Sequence, residues 1–188
     1  MAIRSFMVPL GSPASDFALP RADDGGGVRL ADLTGAPALL VAFLCNHCPY
    51  VQYVESSFGA FAEEYAQRGL VTVGICANDV ASYPDDDRPH LVAQAKRAGF
   101  GFPYLVDEDQ QVALAYHAAC TPDFFLYDRQ RRLAYRGQFD GSRPGRLTPT
   151  GDSLRAAADL VLAGEPVPEP HGPSVGCSIK WKPGNDPD

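Results

Sequence analysis

The sequence predicts an α/β protein, a central mixed β-sheet flanked by helices, and three observations carry that expectation. Residues 39–44 (Leu39, Leu40, Val41, Ala42, Phe43, Leu44) are an unbroken apolar run, the signature of a strand buried on both faces. The next segment carries Val51, Val54, Phe58, Phe61 and Tyr65 at helical spacing, and the β-branched run 70–76 follows it. Strand, helix, strand over this length reads as a right-handed βαβ unit with parallel strands. Further on, the runs 123–128 and 132–139 flank a short polar turn and read as an antiparallel hairpin. Parallel and antiparallel pairing together make the sheet mixed.

In chain order, residues 1–15 are punctuated by Pro and Gly and are expected as a surface arm. Residues 16–20 and 28–30 flank an Asp/Gly turn and form an N-terminal hairpin extension. The long helix is expected to begin at Cys45 and run to about Arg68, with Gly69 as its cap. The polar loop 77–87 ends in Asp85-Asp86-Asp87, read as a solvated run that caps a helix over 90–98. A short extended segment is expected at 102–106 and a short helix at 109–117. Thr121-Pro122 leads into the hairpin, because proline suits a strand start and not a strand centre. A last helix covers 154–163, capped by Asp152 or Ser153. Two parts follow: a domain over 1–165, and a Pro/Gly-rich, irregular tail over 166–188 packed on it through Ile179 and Trp181.

The chain has 188 residues, 45% of them hydrophobic and 21% charged, enough for one full core. Its net charge of −7 argues against nucleic acid or an anionic membrane as a main partner. Five cysteines are an odd number, no signal peptide is legible and no apolar run is long enough to span a bilayer. A reducing cytoplasm is the expected location.

The chemistry is concentrated at Cys45-Asn46-His47-Cys48-Pro49. Cys-x-x-Cys between a buried strand and a helix is the setting in which the motif means redox chemistry and not metal. A helix N-terminus stabilises a thiolate through its free N–H groups and dipole. The expected order puts Cys45 at the first turn as the more exposed and more acidic thiol, with Cys48 one turn inside. His47, when protonated, adds positive charge; its plainer reading is a solvated loop residue. Cys76 ends a strand and reads as a buried strand residue.

This arrangement resembles the thioredoxin-fold redoxin superfamily, which includes alkyl hydroperoxide reductase/thiol-specific antioxidant-like proteins and thiol–disulfide interchange proteins. The resemblance covers about residues 10–165. A subgroup with the Cys-Asn-His-Cys-Pro motif is similar almost end to end, through the strings 43–51, 77–79 with Tyr83-Pro84, 102–108, 121–126 and 176–185. The resemblance implies that Cys45 attacks and Cys48 resolves. It implies that Pro122 is a cis-proline facing them, with the Thr121 backbone pairing to an extended substrate alongside Asn46 and His47. Two departures stand out. Thioredoxins carry a buried acid six residues before the first cysteine, where this chain has Leu39. The Pro-x-x-x-Thr-x-x-Cys set of peroxiredoxins and their active-site arginine are not matched around Cys45 or Thr121.

The leading expectation is therefore a thiol–disulfide oxidoreductase that cycles a Cys45–Cys48 disulfide and needs no other cofactor. Its partners would be a protein or small-molecule disulfide and an upstream dithiol reductant. Two alternatives stay open: a weak thiol peroxidase using Cys45, and a metal-binding protein using Cys45, His47, Cys48 and either His117 or Cys120. No metal is the primary expectation. Cys120 and Cys177 are candidates for additional redox thiols, set against plainer readings as a bystander and as a tail cysteine packed beside Trp181.

Overall fold

The computed structural model of the protein describes residues 2–145 and 147–187. Its elements are β1 (Ala2–Arg4), β2 (Ala18–Pro20), β3 (Gly27–Arg29), β4 (Ala38–Phe43), α1 (Pro49–Ala66), β5 (Leu70–Cys76), α2 (Arg88–Ala98), β6 (Tyr104–Val106), α3 (Gln111–Ala115), β7 (Cys120–Thr121), β8 (Asp123–Tyr127), β9 (Leu133–Gly137), α4 (Asp152–Ala163) and β10 (Val175–Ser178).

The apolar run becomes β4, the middle of a five-stranded sheet ordered β6-β5-β4-β8-β9. β4, β5 and β6 are parallel, while β8 pairs antiparallel with both β4 and β9. Alternate side chains of β4 enter opposite layers, as the pleat requires. Leu40 and Ala42 pack with Val51, Phe58 and Phe61 of α1 and Leu154 of α4. Leu39, Val41 and Phe43 pack on the other face with Phe17, Val112 and Tyr116. This is a thioredoxin-like fold, a mixed sheet flanked by helices, and β2–β3 form the expected N-terminal hairpin.

Four elements differ from the sequence reading. α4 starts at Asp152 with Gly151 as its N-cap, so neither Asp152 nor Ser153 is the cap. α1 starts at Pro49, not Cys45, so the N-cap is Cys48. Proline has no N–H to leave unpaired, and its fixed φ suits the first helical position. The arm and the tail are not irregular throughout. β1 pairs antiparallel with β10, and β10 pairs antiparallel with β7, making a second, three-stranded sheet. The acidic run also divides: Asp87 caps α2 by accepting from the His90 N–H, whereas Asp86 is buried. Among the described residues, no helix is long and apolar enough to cross a membrane.

Candidate active site

β4 and α1 hold the Cys-x-x-Cys segment between them. Leu44 prolongs β4 by donating its N–H to Ile75 O at 2.9 Å. The chain then leaves the sheet through Cys45, Asn46 and His47 and enters α1 from an extended Cys48 (φ −74°, ψ 122°). Both sulfurs face Thr121, whose peptide bond to Pro122 is cis. Cys45 Sγ lies 3.2 Å from Thr121 Oγ1, and the Cys48 thiol donates to Thr121 O at 3.2 Å. The two sulfurs are within hydrogen-bonding reach of each other. Both cysteines are 0% exposed.

The electrostatics reverse the expected order of the two thiols. Cys48 is held well below the ordinary thiol range by the Cys45 thiol that donates to it, then by the Cys177 thiol and the Val51 N–H. Its place at the helix N-cap adds the dipole. Cys45 is pushed well above that range, because it keeps the proton it shares with Cys48, it is buried, and the Asp86 carboxylate faces it. Of the two, Cys48 is the more readily deprotonated; while it keeps its proton it donates to Thr121 O. The reading of Cys45 as the more exposed and more acidic thiol is corrected on both counts. The reason is the four-residue offset of the helix start, from Cys45 to Pro49, which gives the cap position to Cys48.

Asp86 organises the loop. Its Oδ1 accepts the Asn46 N–H at 2.8 Å and the His47 N–H at 3.1 Å. Its Oδ2 pairs with His47 Nδ1 at 2.5 Å and accepts from Asn78 Nδ2 at 2.8 Å. A buried carboxylate is tolerated where its oxygens are satisfied in this way. The His47 ring also stacks on Tyr83, so any charge it carries is answered by Asp86. Behind the loop, buried Gln94 donates to Cys45 O at 3.0 Å and to Glu55 Oε2 at 3.2 Å, and accepts from the Tyr104 hydroxyl. Arg97 clamps Glu55 from the surface and donates to Asn46 Oδ1 at 3.1 Å. Leu39 lies in the layer opposite the sulfurs, so an acid there would not reach them. Asp86 is the carboxylate that does.

The tail closes the site. β10 runs along the edge of β7 with Cys177 opposite Thr121 and Ser178 opposite Cys120. That edge is where an extended substrate was expected to pair. Gly176 passes so close that a Cβ there would lie 2.0 Å from Thr121 O, so the approach requires glycine. Cys177 packs against the layer that holds Cys48, and its thiol and N–H help to lower the Cys48 thiol. It is not packed as a simple neighbour of Trp181, which joins Ile179 in the opposite layer.

Residues 10–136 match the AhpC/TSA family. The chain belongs to it. No curated protein matches. A hypothetical protein from Sinorhizobium meliloti is 49% identical, with a TM-score of 0.94 over 96% of this chain and 99% of its own. An uncharacterized conserved protein from Geobacillus kaustophilus is 48% identical, with a TM-score of 0.94 over 97% of each chain. A thiol:disulfide interchange protein of the thioredoxin family from Chlorobium tepidum shares the fold, at 19% identity and a TM-score of 0.62 over 81% of this chain and 97% of that one.

Of the residues singled out in the sequence, the structure brings together Cys45, Asn46, His47, Cys48, Thr121, Pro122 and Cys177. Cys120 is buried beside them, with its thiol turned to Pro122 O at 3.7 Å and pushed up by burial. His117 lies elsewhere, exposed after α3 beside Phe6 and Trp181. Among the described residues, the group with metal-ligand spacing is Cys45, His47 and Asp86, with ligand atoms within 4.8 Å of one another. That set differs from the one expected from sequence, and its Asp86 oxygens are already engaged by four donors. Asp86, Glu55 and Gln94 were missed. Glu55 and Gln94 had a signal, since each falls on the apolar face of its helix, one turn from Val51 and one from Leu91.

Proposed function

We propose that this protein is a thiol–disulfide oxidoreductase whose working couple is Cys45 and Cys48. One observation carries the reading: two cysteines at a helix N-terminus whose sulfurs both lie 3.2 Å from Thr121, next to its cis bond to Pro122. In the reduced state Cys48 is the thiolate and Cys45 the thiol, the reverse of the roles the resemblance implies. The thiolate attacks a disulfide, presented by a substrate or by an intervening thiol of the protein; a mixed disulfide forms, and the first sulfur leaves and takes a proton. Cys45 then attacks Cys48, releasing the second substrate sulfur and leaving Cys45–Cys48 oxidised. A dithiol donor reverses the sequence. Thr121 Oγ1 holds Cys45 in place for closure of the ring, and Asp86 holds the loop and keeps the Cys45 proton on until it is needed. A cytoplasmic setting, where a dithiol pool is at hand, fits such a cycle.

The test is equilibration of the whole protein with a glutathione redox buffer, followed by acid quench and mass spectrometry. The expected product is one intramolecular disulfide joining Cys45 and Cys48, with a defined potential. Loss of protein-disulfide reduction is expected in both Cys45→Ser and Cys48→Ser. Full activity in either variant would remove the reading. In the peroxidase alternative, reduction of hydrogen peroxide would be much faster than by free cysteine. Against it, among the described residues no arginine hydrogen-bonds to either sulfur.

A further inference from the structure

The couple just described is sealed. Cys45 and Cys48 are 0% exposed, while Cys177 is partly exposed, pairs with Thr121 and packs in the layer that holds both sulfurs. The covering strand is pinned at both ends. On one side Ser5 and Ser174 exchange hydrogen bonds, and Ser174 Oγ donates to Gly137 O at 2.5 Å. On the other, Ile179 N–H donates to Ala119 O, Lys180 N–H to Asn78 Oδ1, and Gln110 bonds Lys180 O and the Lys182 N–H. A strap held at both ends by this many hydrogen bonds is a poor lid.

We propose that Cys177 is a third redox thiol, the solvent-side relay through which the buried couple exchanges electrons with dithiols and disulfides outside. The inference rests on Cys45–Cys48 being a redox couple. Starting from the oxidised couple, the Cys177 sulfur attacks Cys48 Sγ. A Cys48–Cys177 bond forms, the Cys45–Cys48 bond breaks, and Cys45 leaves as thiolate and takes up the proton Cys177 gave up. No oxidant is consumed. An external dithiol then attacks Cys177 Sγ and releases the Cys48 thiolate. Its second sulfur displaces Cys177, so the dithiol leaves as a disulfide and the protein is reduced. The reverse sequence reduces an external disulfide.

The local charges suit this order. With the couple reduced, Cys177 is pushed up to about 11 by burial and by its bond to Cys48, and it stays protonated as the donor to that thiolate. Once Cys48 is tied to Cys45, that negative charge is gone. Lys180, whose Nζ lies 2.8 Å from Ser178 O, then favours the Cys177 thiolate. Cys120 does not share the role, being buried and turned toward Pro122 O.

The experiment treats the whole chain with equimolar diamide as wild type, Cys45→Ser and Cys177→Ser, then quenches in acid and maps the linked peptides. Cys45→Ser is expected to give a Cys48–Cys177 disulfide as its main product. Cys177→Ser is expected to form Cys45–Cys48 but to equilibrate with glutathione about tenfold more slowly than wild type. A Cys45→Ser protein without that link, or a Cys177→Ser protein exchanging at the wild-type rate, would overturn the relay. Half-oxidised wild type guards against a misfolded variant: Cys48–Cys177 peptides are expected beside Cys45–Cys48, and their absence counts against the relay in the same way. Failure of the underlying couple has a different signature, no Cys45–Cys48 link in any protein.

Discussion

The Cys45–Cys48 loop and the β10 strap reach the same two sulfurs from opposite sides, and different forces hold them. The loop is fixed by buried side chains: Asp86 with four donors, and Gln94 with Glu55 behind it. The strap is fixed by main-chain pairing to β1 and β7 and by the close approach of Gly176. The loop is therefore sensitive to charge and the strap to shape. A charge change should alter how the thiols titrate, while a shape change should alter who can reach them.

The largest effect is expected from Asp86→Ala. It strips His47, Asn78 and two backbone N–H groups of their acceptor, and leaving buried donors unsatisfied costs about 1–3 kcal/mol each. Urea unfolding followed by fluorescence of Trp181 measures it; an unchanged midpoint would mean the loop is held otherwise. Asp86→Asn is the milder probe: removing the charge should move the Cys45 thiol titration down in pH, read by thiolate absorbance, whereas an unmoved curve would deny Asp86 its influence.

Gly176→Val tests the strap. The added side chain meets the Thr121 carbonyl, and overpacking of this kind costs about 1–3 kcal/mol. Its distinguishing result is access: iodoacetamide should label Cys48 at least about tenfold faster, because its depressed thiolate is then uncovered. Equal labelling rates would show that β10 does not limit access.

Asp123, just after Pro122 and near Ser174 at the foot of the strap, supplies a pH-dependent comparison. Burial pushes its carboxyl from 3.8 up to about 8, and Oδ1 has no hydrogen-bond partner among the described residues. Between those two values the folded protein holds a proton that the unfolded chain has released, so stability falls as pH rises through that window. Asp123→Asn should flatten the fall, with a gain of roughly 1–3 kcal/mol at pH 8 relative to pH 4. Parallel pH–stability curves for the two proteins would refute it. The smallest effect belongs to Arg97→Ala, about 1 kcal/mol or less, because its guanidinium is half exposed and Glu55 keeps Gln94. A loss several times larger would make the surface clamp part of the buried network.

What the sequence made legible was the local pattern. The buried strand, the Cys-x-x-Cys after it, the helix with its apolar face and the β8–β9 hairpin all carry periodicity within a few residues. The cis Thr121–Pro122 bond came from the resemblance. The helix start was also readable, since Pro49 at the first helical position marks Cys48 as the cap; placing the helix at Cys45 overlooked it. Two things had no local signal. Asp86 sits between Asp85 and Asp87 and nothing in that run distinguishes the buried one. β10 has only four residues, and its partners are residues 2–4 and 120–121, so its pairing is set by contacts far away in the chain.

The second sheet has a consequence for synthesis. Among the described strands β10 comes last in the chain, after both sides of the groove, and the β7 edge it pairs with waits until residues 175–178 have left the ribosome. Chains emerge N-terminal end first, so the segments that form the groove leave the ribosome before β10 does. During that interval the β7 edge beside the sulfur pair has no partner strand. Sealing is thus an event in the life of each molecule, completed only when the chain's last strand slots between its first strand and the proline loop.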